Sequence, residues 1–394
     1  MAEFYQQHLR SAIDIIGAYR FNEPFSIYLK NHFRKYKKFG SKDRKTITDL
    51  CFGYFRIGQS SLDYSVQEQI IIGFYLTHTS DNGFLSIFNP GLSIVVEKSL
   101  DEKLKTLTVF YPAFDSSKIF AFKQYLSDSI EHVPFNQSHL TKPLVYINCR
   151  HQSPLDLIQQ LNQYQIPHVT SDQFIGFEQH IDLTKWFNLD RDLLVQDISS
   201  QKTISLLDGY KVNADAVWDA CAGSGGKSIL ASDAFHFKRH FVSDLREHML
   251  DELSRRMNLA AVSIEKSFCV DLTNSLSVQV AKQFLPSAGI DLIIADVPCT
   301  GSGTWGRSPE WLRSFDPATI DVYHKKQVRI VENLFPFIKK NGYLLYITCS
   351  VFVSENEGVL NELVEKHAIK VLKQQYFIGY PQRGDQLFAA LITL

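Results

Sequence analysis

From about residue 200 to 350, short apolar runs alternate with helical stretches, and this alternation constrains the fold more than any other feature of the chain. The strand candidates are AVWDA (216–220), RHFVSD (239–244), KSFCVD (266–271), IDLIIAD (290–296) and GYLLYITCS (342–350). Between them lie segments with three- and four-residue apolar spacing, such as LREHMLDELSRRMNLA and YHKKQVRIVENLFPFIKK. Strands that alternate with helices predict a parallel, doubly wound α/β sheet. Ligands of such sheets bind beyond the carboxyl ends of the strands, so those ends are where chemistry is sought.

The chain has 394 residues, more than one hydrophobic core usually serves, and two or three domains are expected. Residues 1–135 read as a helical domain, with helical periodicity in HLRSAIDIIGAY and DLCFGYFRIG. Residues 140–195 change character: PLVYINCR and IPHVT are strand-like and flank SPLDLIQQLNQY, a helix with a Ser-Pro start, which makes a small α+β module. Residues 196–394 hold the alternating pattern and form the third expected domain. The densest apolar run, Ile70 to Leu76, is too short to cross a membrane, and the first twenty residues lack the apolar stretch of a secretory signal. A cytoplasmic protein without a membrane partner is expected, and a monomer.

The net charge of −1 does not point to nucleic acid, but an average can hide a patch. Arg34, Lys35, Lys37, Lys38, Lys42, Arg44 and Lys45 stand against Asp43 alone. Such a run is either a solvated face or a phosphate-contacting surface whose binding would weaken steeply with salt. Six cysteines are scattered without CxxC spacing, so neither a zinc knuckle nor any other metal site is expected.

The first strand of the alternating region runs into DACAGSGGKS (219–228). Gly223, Gly225 and Gly226 allow a tight turn and a close approach of backbone to ligand at a helix N-terminus. A Walker A loop would need glycine where Cys221 stands, and a dinucleotide fingerprint would need one where Ser228 stands. A nucleoside cofactor without pyrophosphate fits better. Asp244 closes the second strand, where an acid can bind both ribose hydroxyls, and Asp271 closes the third, placed to accept from an adenine amino group. Acids at strand ends also serve as helix caps, but with the loop they favour S-adenosylmethionine.

The fourth strand ends in Asp296-Val297-Pro298-Cys299, and the fifth in Thr348-Cys349-Ser350, followed by a capping-box spacing at Ser354-Glu355-Asn356-Glu357. Strands that pair lie about 5 Å apart, which would bring both thiols into one cleft beside the cofactor. Two thiols suit one reaction in particular. Carbon 5 of a cytosine is a poor nucleophile until a thiolate adds at carbon 6 and makes it enamine-like. Asp296 is placed to stabilise that adduct on the N3 side of the ring, and a second cysteine suits the release step.

These blocks resemble the Sun/Fmu (RsmB-type) RNA cytosine-5 methyltransferase family: DACAGSGGKS, VSDLREHML, VDLTN, IIADVPCTGSGTWGRSPEW and YITCSVFVSENE occur in family order, after VQDISSQ (195–201). The resemblance implies a class I (Rossmann-like) S-adenosylmethionine-dependent methyltransferase domain. It implies Cys349 as nucleophile and Cys299 in release of the methylated RNA, with Asp296 and Lys227 in the active site. Cofactor contacts would come from Cys221, Ala222, Gly223, Ser224, Gly225, Gly226, Lys227, Asp244, Asp271 and Asp296. In the loop the family's usual Ala-Pro is replaced by Gly223-Ser224. DLCFGYFR (49–56) is similar to a NusB-like RNA-binding domain, and the 140–195 module to the family's small RNA-binding extension. These likenesses favour ribosomal over transfer RNA as substrate, with a catalytically decayed ribosome-assembly factor as the alternative from another class. Arg34, Lys35, Lys37, Lys38, Arg307 and Arg313 are candidate RNA contacts, as are Lys325 and Lys326.

Overall fold

The structure is a computed structural model that describes residues 2–178, 181–213 and 215–394. The chain divides into two compact units: Met1–Gln124 with Glu131–Lys142 and Trp305–Pro317, and Tyr125–Ile130 with Pro143–Thr304 and Ala318–Leu394.

The first unit is helical. Its longer helices are Ala2–Ala18, Phe25–Lys35, Ser41–Arg56, Val66–Thr77 and Leu100–Phe110. Two of them start where the sequence supplies a reciprocal cap, Ser65 with Glu68 and Ser99 with Glu102, which satisfy otherwise orphaned N–H groups. The apolar run Ile70–Leu76 lies in the helix Val66–Thr77 and is buried along its whole length, as a core helix should be. That helix crosses Ser41–Arg56 where Gly53 meets Gly73: a Cβ on Gly73 would lie 2.3 Å from the Gly53 carbonyl oxygen, so the two backbones touch.

Trp305–Pro317 belongs to this unit although it follows the fourth strand of the alternating region. Trp305 packs on Phe120, Phe122 and Phe315, with centroids 5.8, 5.7 and 4.8 Å away. Glu310 is buried and accepts the backbone N–H of Phe25 at 2.9 Å, an N-terminal cap that the preceding Pro24 cannot provide.

The second unit opens with a small antiparallel sheet of β1 (Val145–Cys149), β2 (Val169–Ser171), β3 (Phe174–Phe177) and β4 (Leu193–Val195), in the order β2-β3-β1-β4. Its helix Pro154–Gln163 starts at Ser153, whose hydroxyl accepts the N–H of Asp156 at 3.1 Å. Ile147, Ile175 and Phe177 from the sheet and Leu157 and Leu161 from the helix share one apolar cluster.

The main sheet holds β5 (Ala216–Asp219), β6 (Arg239–Asp244), β7 (Lys266–Cys269), β8 (Ile290–Asp296), β9 (Ile338–Thr348), β10 (Lys370–Ile378) and β11 (Gln386–Thr393). Their order is β10-β11-β9-β8-β5-β6-β7. The five strands expected from the sequence are parallel, as anticipated. Two further strands extend the sheet at one edge, where β11 runs antiparallel between β9 and β10. β8 is buried on both faces, which is why IDLIIAD reads as a continuous apolar run rather than an alternating one. The chain leaves β5 to build β6 and β7 on one side, then returns to place β8 on the other. This reversal between β5 and β8 is the switch point at which such sheets open a ligand crevice.

Candidate active site and cofactor cleft

At the switch point, β5 ends in Asp219, which is fully buried and accepts the Ser228 hydroxyl at 2.6 Å. Burial pushes the Asp219 carboxyl up to about 7. The loop that follows turns through Gly225, at φ +85°, into the helix Gly226–Phe235. The N–H of Gly223 points back across the crevice and donates to Asp244 Oδ2 at 2.9 Å.

Asp244 stands at the end of β6, as expected. Its Oδ1 accepts the Arg246 N–H at 2.9 Å and the Arg246 Nε at 3.0 Å. Burial works against its charge, but the Arg246 and Gly223 donors outweigh that and hold the carboxyl below its ordinary range. Asp271 lies just beyond β7 and closes a turn, accepting the N–H and hydroxyl of Thr273 at 2.9 and 2.6 Å. Those bonds, the hydroxyl first, lower its pKa. A cleft of about 370 Å³ is lined by Cys221, Asp244, Asp271, Asp296 and Lys326, with Leu245, Val270, Leu272, Pro298 and Ile330 as apolar walls. That volume suits a small organic ligand.

β8 and β9 pair in parallel with Asp296 opposite Ile347, so their ends bring Cys299 and Cys349 together. The two Sγ atoms are 3.3 Å apart and both side chains are partly exposed. Beside them Lys227 Nζ donates to Asp296 Oδ2 at 3.0 Å. Burial disfavours the Lys227 charge, yet Asp296 outweighs it and the ammonium pKa is raised. The Cys299 thiol is held well up by its bond with Cys349, by burial and by Glu355. Gly303 closes the site from behind, its N–H donating to the Cys349 carbonyl at 2.8 Å.

Glu355 went unassigned in the sequence beyond its place in a capping box, and that box is corrected. The helix Glu357–Lys366 is preceded by Asn356 with no side-chain cap, and Glu355 turns inward instead. It is fully buried and accepts the N–H and hydroxyl of Thr300 (2.8 and 2.5 Å), Gln327 Nε2 (3.1 Å) and the Ser350 hydroxyl. Thr300 follows Cys299 and Ser350 follows Cys349, so one carboxylate ties both cysteine loops. Burial raises its pKa. An acid six residues beyond a strand-end cysteine was the only signal for it in the sequence.

The structure thus brings together Lys227, Asp244, Asp271, Asp296, Cys299, Cys349 and the loop 221–226. Arg34, Lys35, Lys37 and Lys38, with Lys42, Arg44 and Lys45, are exposed on the helical unit. Arg307 and Arg313 lie in the Trp305–Pro317 segment of that unit, both partly buried. Arg313 departs from the expectation of a free RNA contact. Its guanidinium stacks 4.1 Å over the Tyr54 ring and donates to Gln69 Oε1 at 2.6 Å and to the Tyr54 carbonyl at 3.3 Å. Lys325 is exposed, and Lys326 lines the cleft. Among the described residues, no cluster of His, Cys, Asp or Glu could hold a metal ion, and no helix is long and apolar enough to cross a membrane.

Residues 208–384 match the model of the 16S rRNA methyltransferase RsmB/F family. That match takes in a little under half of the chain. A probable ribosomal RNA small subunit methyltransferase B of Coxiella burnetii is 30% identical over 175 residues, which are 44% of this chain and 39% of that protein. Its Bacillus subtilis counterpart is 27% identical over 180 residues, 45% of this chain and 38% of the relative. The chain therefore spans about two fifths of the length of these relatives. Among solved structures, that of PH0851 superposes with a TM-score of 0.69 at 18% identity, covering 98% of each chain. A methyltransferase homolog protein from Pyrococcus horikoshii superposes at 0.53 and 19% identity, over 66% of this chain and 90% of that one. The RsmB/F match agrees with the Sun/Fmu-type resemblance of the motifs, and the sheet has the Rossmann-like methyltransferase fold.

Proposed function

We propose that this chain is an S-adenosylmethionine-dependent RNA cytosine-5 methyltransferase that acts on ribosomal RNA in the cytoplasm. The observation that carries the reading is the pair of thiols 3.3 Å apart beside the Lys227–Asp296 ion pair. A cleft lined by Asp244, Asp271 and apolar walls supports an adenosine, whose ribose diol and amino group would donate to those acids. Asp244, Asp271 and the backbone of 221–226 would hold the cofactor, which when bound supplies an electrophilic methyl group.

The chain's own residues do the rest. A flipped-out cytosine enters beside the cysteines. Cys349, as thiolate, forms a bond to carbon 6, and the ring's electron pair moves toward N3, which takes up a proton passed from Lys227 through the Asp296 carboxyl. Lys227 keeps Asp296 oriented and its charge balanced. Carbon 5 then takes the methyl group and gives its proton to Cys299 as thiolate; the electron pair of that C–H bond re-forms the carbon 5–carbon 6 double bond as Cys349 departs as thiolate, and N3 returns its proton through Asp296 to Lys227. Cys299 assists that release by exchanging a proton at the adduct. The exposed basic residues 34–45 and the small β1–β4 module guide the RNA, the helical unit acting as a NusB-like RNA-binding domain.

Support for ribosomal RNA comes from the family match and from the relatives' names. Incubation with labelled S-adenosylmethionine and ribosomal RNA from cells lacking the gene should yield 5-methylcytosine on digestion. Label in another base, or in transfer RNA alone, would overturn the corresponding part.

A further inference from the structure

We infer that Asp190, Arg256 and Ser224 form a clamp that holds the glycine loop in its cofactor-binding shape. The inference rests on the reading of the cleft as the S-adenosylmethionine site. It makes Asp190 and Arg256 positioning residues that touch no substrate.

The loop needs such a device. Residues 223–226 read Gly-Ser-Gly-Gly, and Ser224 is the only one of the four with a side chain. Gly223 and Gly225 sit at φ +50° and +85°. Glycine loses more conformational freedom on ordering than any other residue, so this stretch holds one shape only if something outside it fixes it. Arg256 does so. Its Nη1 donates to both the hydroxyl and the carbonyl oxygen of Ser224, at 2.8 and 2.9 Å. The other edge of the same guanidinium, Nε and Nη2, donates to Asp190 Oδ1 at 3.0 and 2.8 Å. The side chains of Arg256 and Asp190 are 14% and 10% exposed, so water screens the pair little. Using both edges of a planar guanidinium is something a lysine cannot do.

Asp190 is itself held. It sits at φ +65°, its N–H donates to the Leu193 carbonyl at 2.8 Å, and its carbonyl accepts Arg150 Nη1 at 2.7 Å. Arg150, just beyond β1, also grips both carboxylate oxygens of Asp233 at 2.8 and 2.7 Å. Asp233 lies on the helix that the glycine loop opens. Two arginines therefore tie the small β1–β4 module to the loop and to its helix. At its other end the loop is tied through Gly223 to Asp244. Cofactor affinity then depends on residues 150 and 190 of a module that contributes nothing to the cleft lining.

The test is calorimetric binding of S-adenosylhomocysteine to the full chain and to D190N, R256K and R256A, with thermal melts and hydrogen exchange of amides 222–226. The clamp predicts affinity weakened about tenfold in D190N and R256A, with R256K between them and the wild type. The KM for S-adenosylmethionine should rise in the same proportion while kcat and the KM for RNA stay level, and the loop amides should exchange faster. Binding within twofold of wild type in both D190N and R256A would overturn the clamp. If R256A fails to fold, D190N and R256K decide in the same way. Absence of binding by the wild-type chain would count against the cofactor reading instead, and unchanged loop exchange in D190N would then reject the clamp by itself.

Discussion

Replacing Arg313 by alanine separates two readings of a basic residue in the segment that follows the Cys299 loop. The guanidinium lies 4.1 Å over the Tyr54 ring and donates to Gln69 Oε1 at 2.6 Å. The stack contributes about 1 kcal/mol and the charged hydrogen bond about 1.5–3 kcal/mol. Truncation also leaves the amide oxygen of Gln69, a buried residue, without this donor. Against these stands the desolvation of the guanidinium, which lowers its pKa and offsets part of the gain. The net loss is about 3 kcal/mol. For a domain of this size each kcal/mol shifts the midpoint by about 2–4 °C, so the helical unit of R313A should melt ~6–12 °C lower. Scanning calorimetry or far-UV dichroism reads this, and RNA affinity measured in the cold, where the variant is folded, should be unchanged. A variant that melts within a degree of wild type but loses tenfold in RNA affinity would refute the argument.

Other substitutions test other parts. Lys227→Met and Asp296→Asn should each lower kcat by about 10²–10⁴ with little change in stability, because they remove a placed charge at the reacting ring; single-turnover kinetics would show it, and a pure KM effect would contradict it. His139 is buried against Phe120, and burial holds its pKa down to about 4. A group with a depressed folded pKa contributes stability above its unfolded value, about 6.5, that is lost as pH falls toward 4, at up to about 1.4 kcal/mol per unit. His139→Gln should flatten that acid limb in urea titrations between pH 7 and 4, and an unchanged slope would count against the assignment. Replacing Lys35, Lys37 and Lys38 together by alanine should weaken RNA binding and reduce the slope of log K against log salt by about 2; equal slopes would return the patch to a solvated face.

The sequence announced the parallel strands and the chemistry at their ends because both are local. Buried strands such as β8 are continuous apolar runs, and glycines, acids and cysteines cluster where each run stops. β10 and β11 were not anticipated. KVLKQQYFI is an edge strand with its polar side chains exposed, and QLFAALIT is a short run buried up to Ile392, which periodicity alone cannot tell from a helix. Glu355 looked like part of a helix cap because Ser354 and Glu357 have that spacing. Its actual partners lie at Thr300 and Gln327, reached only through the fold. Arg256 gave no signal, and Arg313 read only as a candidate RNA contact, for the same reason: their partners lie 32 to 259 residues away.

The division of labour between the two thiols is open to one direct measurement. Each of C299A and C349A is incubated with S-adenosylmethionine and target RNA, then run on a denaturing gel. The account predicts a covalent protein–RNA band for C299A, where the adduct forms but is not released, and none for C349A, which lacks the attacking thiol. A band in C349A, or identical behaviour of the two variants, would contradict it.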